Sequence, residues 1–467
     1  MTSRNAQLTK GPVGRHLVRM ALPMMLGIFA MMAFNLTDTW FVAQVGTAEL
    51  AAISFTFPVV MVLSSVAIGL GAGTSSVLAR AIGRGDWARV QRLATDSMIL
   101  ASLAGIILAG IGLVTIEPLF RLLGANEMTL PLIRDYMVWW YIGTPFLIAP
   151  MVGMAAIRAT GDTRLPSLLM ISSAVLNLIL DPLLIFGLGP FPRLGLEGAA
   201  LASLVVRVAF FAAAVTLLHR RMHMLTWHIG SGAELAASWR QILHVGLPAA
   251  GTNAIIPLAT GVVTAMLAQY GQTTVAGFGV ASRVESVVLI VFYALSAVIG
   301  PFAGQNLGVG RRDRILSALK LCTVFSLGFG AALALLLALA GRPIALLFDS
   351  QAEVVTVAAT YLLIVPLSYG TAAMVMIMNA AFNGLGRPLP AVAISAARML
   401  LLYVPLAWIG SEFYGATGIF IALALANVIA GVVAYVWVVR TVRAIPLDDE
   451  TPAAMTHAGA APEARGI

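Results

Sequence analysis

Uninterrupted apolar runs of about 20–30 residues recur along this sequence roughly every 35–40 positions, and each is long enough to cross a hydrocarbon core of about 30 Å. Lipid offers the backbone no hydrogen-bond partners, so only helices or a closed barrel can span it. A barrel strand alternates apolar and polar side chains over about ten residues, whereas stretches such as Ala331 to Ala340 are apolar on every face. The chain is therefore read as all-α and integral to a membrane. Its spans are expected near 16–45, 51–79, 94–116, 131–157, 166–188, 195–218, 241–269, 276–305, 316–340, 354–382, 389–410 and 415–439. With 60% hydrophobic and 10% charged residues, 467 residues hold more apolar surface than a water-soluble core could hide. The first run is too long for a signal-peptide core and lacks a cleavage site, so it is expected to stay in the membrane.

Lys and Arg set the orientation. Of the 28, 21 lie at the N-terminus, in the loops after spans 2, 4, 6, 8 and 10, or in the C-terminal tail. The opposite loops hold only Arg121, Arg134, Arg193 and Arg342, and Arg207, Arg283 and Arg398 fall inside spans. Both termini are expected to be cytoplasmic, in a bacterial inner (plasma) membrane. The pI near 10.0 then reflects topology and calls for no nucleic-acid partner. The single cysteine, Cys322, permits no intramolecular disulfide and reads as a small core residue.

A shift of about 225 positions lays the chain on itself. Leu22 and Pro23 meet Leu247 and Pro248, and Ala43, Gln44 and Gly46 meet Ala268, Gln269 and Gly271. Gly83, Gly85 and Arg89 meet Gly308, Gly310 and Arg314; Pro118 meets Pro343, and Gly161 meets Gly386. Six spans per repeat is even, so the halves enter the membrane from the same side and form two parallel six-helix lobes around a central cleft. The expected division is an N-lobe at 1–219, a cytoplasmic connector at 220–240, a C-lobe at 241–444 and a disordered cytoplasmic tail at 445–467.

Four segments carry a resemblance to a known family: Ala21-Leu22-Pro23 with Asn35-Leu36-Thr37-Asp38-Thr39-Trp40, Arg158-Ala159-Thr160-Gly161-Asp162-Thr163, Asn177-Leu178-Ile179-Leu180-Asp181-Pro182, and Gly304-Gln305-Asn306-Leu307-Gly308. In order and spacing the chain resembles the multidrug and toxic compound extrusion (MATE) transporters over nearly its whole length. It has no acid within 241–269 or 354–382, and its intramembrane acids at Asp38 and Asp181 resemble the DinF-like branch, where the N-lobe carries ion coupling. The resemblance implies secondary antiport, efflux of cationic or amphipathic compounds by alternating access, and a monomer.

A carboxylate deep in a membrane costs on the order of 3 kcal/mol, so it is normally turned toward a partner or a water-filled cavity. Asn35 precedes Asp38 by three residues and Asn177 precedes Asp181 by four, which puts each amide on its acid's helix face. Asp38, Asp181, Asn177 and Asn35 are thus the candidate ion-coupling residues, with the proton as the expected ion and a structural polar cluster as the plain alternative. Sodium is the rival: the resemblance implies a site from Asp38, Asn177 and Asp181 with a hydroxyl from span 6, where this chain has Ala199 and, one turn later, Ser203. Possible ion or substrate contacts are Ser203, Arg207, Glu285, Met31, Met151 and Met154. Glu285 is also open to structural pairing with Arg398, and the methionines to core packing. Trp139, Trp140 and Tyr141 read as an interfacial belt or a stacking surface.

No organic cofactor or certain metal site is expected. An enzyme would need convergent nucleophiles or His/Glu metal spacing, and Gly83-Arg84-Gly85 lacks the spacing and lysine of a nucleotide loop. The alternative transport reading is a flippase for lipid-linked oligosaccharides, whose anionic diphosphate would want Arg207, Arg283 and Arg398.

Overall fold

The computed structural model describes residues 7–227 and 230–446. Helices α1 (Val13–Ala43), α2 (Thr47–Arg84), α3 (Trp87–Leu122), α4 (Thr129–Ile142 continued by Thr144–Ala159), α5 (Arg164–Phe186) and α6 (Leu196–Arg221) form the first lobe. Helices α7 (Gly232–Ala268), α8 (Gln272–Val288 continued by Ile290–Gly308), α9 (Arg312–Leu346), α10 (Ala352–Gly384) and the run Leu389–Arg443 form the second. That run breaks at Gly415, whose φ of 58° and ψ of −141° are open to glycine, and so becomes α11 and α12. Among the described residues twelve spans result, all helical, in two six-helix lobes.

Several helices outrun the spans that hydropathy marks. α2, α3 and α7 have 38, 36 and 37 residues, well beyond the roughly 20 that a bilayer needs. Their polar turns project beyond the hydrocarbon at the end of the molecule where α1 begins, here called the terminal end. Local caps set where they start. The Asp86 side chain accepts from the Arg89 amide to open α3, and Ser231 and Glu234 form a reciprocal capping box that opens α7. The second cap shortens the connector expected at 220–240. α6 runs through a π-turn to Arg221 and α7 starts at Gly232, so the lobes are joined by 222–231 alone. The expected tail falls mostly at 447–467, outside the described residues.

α4 bends by 43° around Gly143, where Pro145 removes a backbone donor from the next turn. The first half of α1 belongs to the inter-lobe packing. Its Leu17, Met20, Ala21 and Met24 share one core with Val298 and Phe302 of α8 and Val375 and Met378 of α10. Cys322 of α9, 2% exposed, sits in the same core, as its small size suggested.

The lobes approach most closely through glycines. A Cβ on Gly73 of α2 would lie 2.3 Å from the Ile242 carbonyl oxygen of α7, and one on Gly83 would lie 2.3 Å from the Gln305 carbonyl oxygen of α8. Gly83 also faces Gly308, the residue that the 225-position shift assigns as its counterpart.

Candidate functional site

α1 packs along α5, and this places the carboxyls of Asp38 and Asp181 within hydrogen-bonding reach of each other. Asp181 and Asn177 are 0% and 1% exposed. With its nitrogen turned to the acid, the Asn177 amide donates to both Asp181 oxygens, at 2.5 and 3.1 Å. Asp38 Oδ1 is buried with no hydrogen-bond donor. Two carboxylates this close repel one another, and one shared proton relieves the repulsion. The four-residue spacing of Asn177 and Asp181 thus gives the contact that it suggested.

Asn35 does not join them. It is exposed, and no hydrogen bond links its side chain to Asp38 among the described residues. Three residues turn a helix about 300°, and with Asp38 aimed at α5 the remaining 60° leaves Asn35 off the contact line. Ser203 is 9% exposed and makes no side-chain hydrogen bond to either acid.

Two neighbours complete the cluster. Arg207 of α6 interacts electrostatically with Asp38 while its guanidinium lies over the Trp140 ring, 4.2 Å from the centroid, and reaches the Trp140 carbonyl at 3.5 Å. Tyr136, one helical turn before Trp140 and 7% exposed, feels the charges of Asp38, Asp181 and Arg207. Sequence reasoning missed Tyr136, although its counterpart under the 225-position shift is Tyr361, which binds the half-buried Glu285 of the other lobe. Trp140 and Tyr141 are 4% and 2% exposed and belong to the N-lobe core, so they form neither an interfacial belt nor an open stacking surface. The bend at Gly143 turns them inward.

In the C-lobe, Glu285 accepts a hydrogen bond from the Tyr361 hydroxyl. It makes no close ion pair with Arg398, which donates to Asn427 at 3.1 Å and acts on Glu285 only through its charge. Arg283, two residues away on α8, is exposed and unpaired among the described residues. Met154 is 6% exposed and Met151 packs against the N-lobe core, while Met31 is partly exposed on α1.

Among the described residues, every hydrogen bond between the lobes lies toward the terminal end. Ser76 and Arg80 of α2 donate to carbonyls of Asn383 and Gly384. Arg92 pairs with Glu234 at 2.9 Å, Arg89 donates to Gln241, and Trp239 donates to the Asp96 carbonyl. A short strap ahead of α1 crosses the seam. The Leu8 amide donates to Gln305 Oε1 at 3.2 Å, its carbonyl accepts from Asn306 and Arg314, and the Gly11 carbonyl accepts from Arg314 at 2.7 Å. Gln305 and Asn306, both 0% exposed, are thus the working residues of the Gly304–Gly308 segment. The far halves of the spans share no such bonds.

Arg92 and Ser231 hold the Glu234 carboxyl down to about 2 by hydrogen bonding. It lies in the polar first turn of α7, outside the hydrocarbon.

The MatE family profile matches the chain twice, over residues 23–183 and 248–409. An FAD transporter of Shewanella oneidensis is 43% identical over 92% of this chain and 95% of its own length. A probable multidrug resistance protein of Bacillus subtilis, YoeA, is 27% identical over 79% of this chain and 80% of its own. A point mutant of the Vibrio cholerae MATE transporter VcmN superposes with a TM-score of 0.89 at 31% identity, covering 93% of this chain and 98% of that one. An outward-facing multidrug resistance MATE transporter superposes with a TM-score of 0.89 at 26% identity, covering 95% and 99%. With both lobes matched, the chain belongs to the MATE family of membrane transporters.

Proposed function

We propose that the chain exports FAD, or a closely similar anionic flavin nucleotide, in exchange for protons, with Asp38 and Asp181 as the ion-carrying pair. The observation that carries the coupling is the contact between buried Asp181 and half-buried Asp38, whose Oδ1 is buried without a donor. A site of this kind holds or releases a proton with little rearrangement. Sodium is the rival ion, and hard oxygens from Asp38, Asn177 and Asp181 suit it. The lack of acids within 241–269 and 354–382, beside Asp38 and Asp181 in the N-lobe, supports the DinF-like branch.

The positive-inside bias puts the terminal end in the cytoplasm. The bonded seam is then the cytoplasmic gate, closed. Arg283 supports an anionic cargo. It is exposed and unpaired among the described residues, and a guanidinium within a span favours water or an anion over hydrocarbon. The name of the 43% identical relative points to the same chemistry. Of the three arginines that a lipid diphosphate would want, Arg207 and Arg398 are engaged by Trp140 and Asn427, which weakens the flippase reading. A second cargo reading, cationic or amphipathic drugs, rests on the acid pair and on relatives named for multidrug resistance. The protein acts as a monomer in the inner membrane.

Everted vesicles with an acidic lumen, in sodium-free buffer, test the reading. FAD uptake with lumenal alkalinisation, lost in Asp38→Asn, is the expected result. Uptake of ethidium but not FAD replaces the cargo, dependence on sodium replaces the ion, and movement of neither compound overturns the antiporter.

A further inference from the structure

We propose that the hollow at the terminal end of the N-lobe is a binding site for a phosphate ester. It encloses about 500 Å³ between the strap, the start of α1, the α4–α5 turn and the end of α6. It lies at the opposite end of the lobe from Asp38 and Asp181, and the inference does not depend on the cargo proposed above.

Three solvent-exposed arginines line it from three helices: Arg19 of α1, Arg164 in the first turn of α5 and Arg221 at the end of α6. Among the described residues none of them is in an ion pair or donates a side-chain hydrogen bond. Other arginines at this end do have acids, as Arg92 has Glu234 and Arg311 has Asp313. Three like charges around one hollow repel unless an anion joins them. The acid in the wall, Asp162, is already engaged: its Oδ1 accepts from the amides of Arg164 and Leu165 at 2.9 and 3.2 Å and caps α5.

Trp87 also lines the hollow, although its buried indole Nε1 has no accessible surface to offer a ligand. His223, also in the wall, has a φ of 50°, a left-handed conformation that residues other than glycine seldom adopt.

The donor set selects the ligand. A carboxylate presents two oxygens in one plane and satisfies one guanidinium fork, whereas arginines from three directions ask for the tetrahedral oxygens of a phosphate. The volume exceeds a bare phosphate ion, and Met20, Ile82 and Leu165 make part of the wall apolar, which suits an organic substituent. Such an ester comes from a phospholipid headgroup of the adjacent leaflet or from a soluble phosphate compound.

Full-length protein in nanodiscs of uncharged phosphatidylcholine is titrated with pyrophosphate and followed by phosphorus NMR. In parallel, detergent-extracted protein is weighed by native mass spectrometry for retained phosphatidylglycerol. Arg164→Gln and Arg221→Gln are each expected to weaken whichever ligand is held by about tenfold, and Arg164→Lys by less. Pyrophosphate binding that the substitutions remove identifies a soluble phosphate source. Retained phosphatidylglycerol that they remove, without pyrophosphate binding, identifies the headgroup. If folded wild type holds neither, or if binding is unchanged when all three arginines are replaced by Gln, the proposal is overturned. Should that triple variant not fold, Arg221→Gln alone, at the end of α6, decides by the same comparison.

Discussion

The side-chain amide of Gln305 on α8 donates to the carbonyl of Ala159 at the end of α4 at 2.7 Å, one lobe holding the other through a fully buried bond. The same side chain accepts from the Leu8 amide. In Gln305→Ala both backbone groups lose their partner, and an unmade buried bond costs about 1–3 kcal/mol. The terminal end is expected to open more often. The check is faster maleimide labelling of a cysteine at Ser76 (Ser76→Cys, with Cys322→Ser) when Gln305→Ala is added.

Gly73→Leu is expected to act more strongly. Its Cβ alone would lie 2.3 Å from the backbone oxygen of Ile242, which no rotamer can relieve. Spin labels on α2 and α7 near the terminal end should report a longer separation than in wild type, with loss of transport of tenfold or more.

Glu234 supplies a control for pH. Its carboxyl is held below the ordinary value of 4.5, at about 2. A depressed acid contributes stability that is fully present above the unfolded value and is lost as pH falls through the folded one. The Arg92–Glu234 pair is therefore intact throughout pH 5 to 8. Glu234→Gln should change thermal stability by the same amount at both limits, and any pH dependence of transport in that range should persist in the variant.

Tyr361→Phe leaves the half-buried Glu285 without its donor, and a fall in melting temperature of a few degrees is expected, with Glu285→Gln recovering part of it in the double variant. An unchanged melting temperature in Tyr361→Phe would show that the bond has no structural role.

Asp38→Asn should retain its fold, since Asp38 Oδ1 has no donor to lose. Exchange driven by a pH gradient should fall at least tenfold while binding of cargo survives, measured by flux beside equilibrium binding.

Much of this was legible in advance, and the reasons are physical. Lipid forces long apolar runs, so twelve spans show in hydropathy. A buried acid with an amide one turn earlier is a strong local signal, and Asn177 with Asp181 fits it. The same logic failed for Asn35, because helix rotation is fixed by α5, which lies far along the sequence. Tyr136 and Arg207 were separable from core and snorkelling residues only once the bend at Gly143 was known. The strap entered the sequence reading only through the Lys and Arg of the N-terminus, since its partners Gln305, Asn306 and Arg314 lie about 300 positions away.

Gly83 and Gly308 occupy matching positions in the two repeats and touch each other. A residue that meets its own counterpart sits on a two-fold axis, and surfaces around such an axis must be self-complementary, as they are in a symmetric dimer. The seam between the lobes therefore has the geometry of a homodimer interface preserved inside one polypeptide. Neither glycine can drift alone: a side chain gained by one helix needs room in the other, so the pair constrains each repeat to remember the shape of its twin.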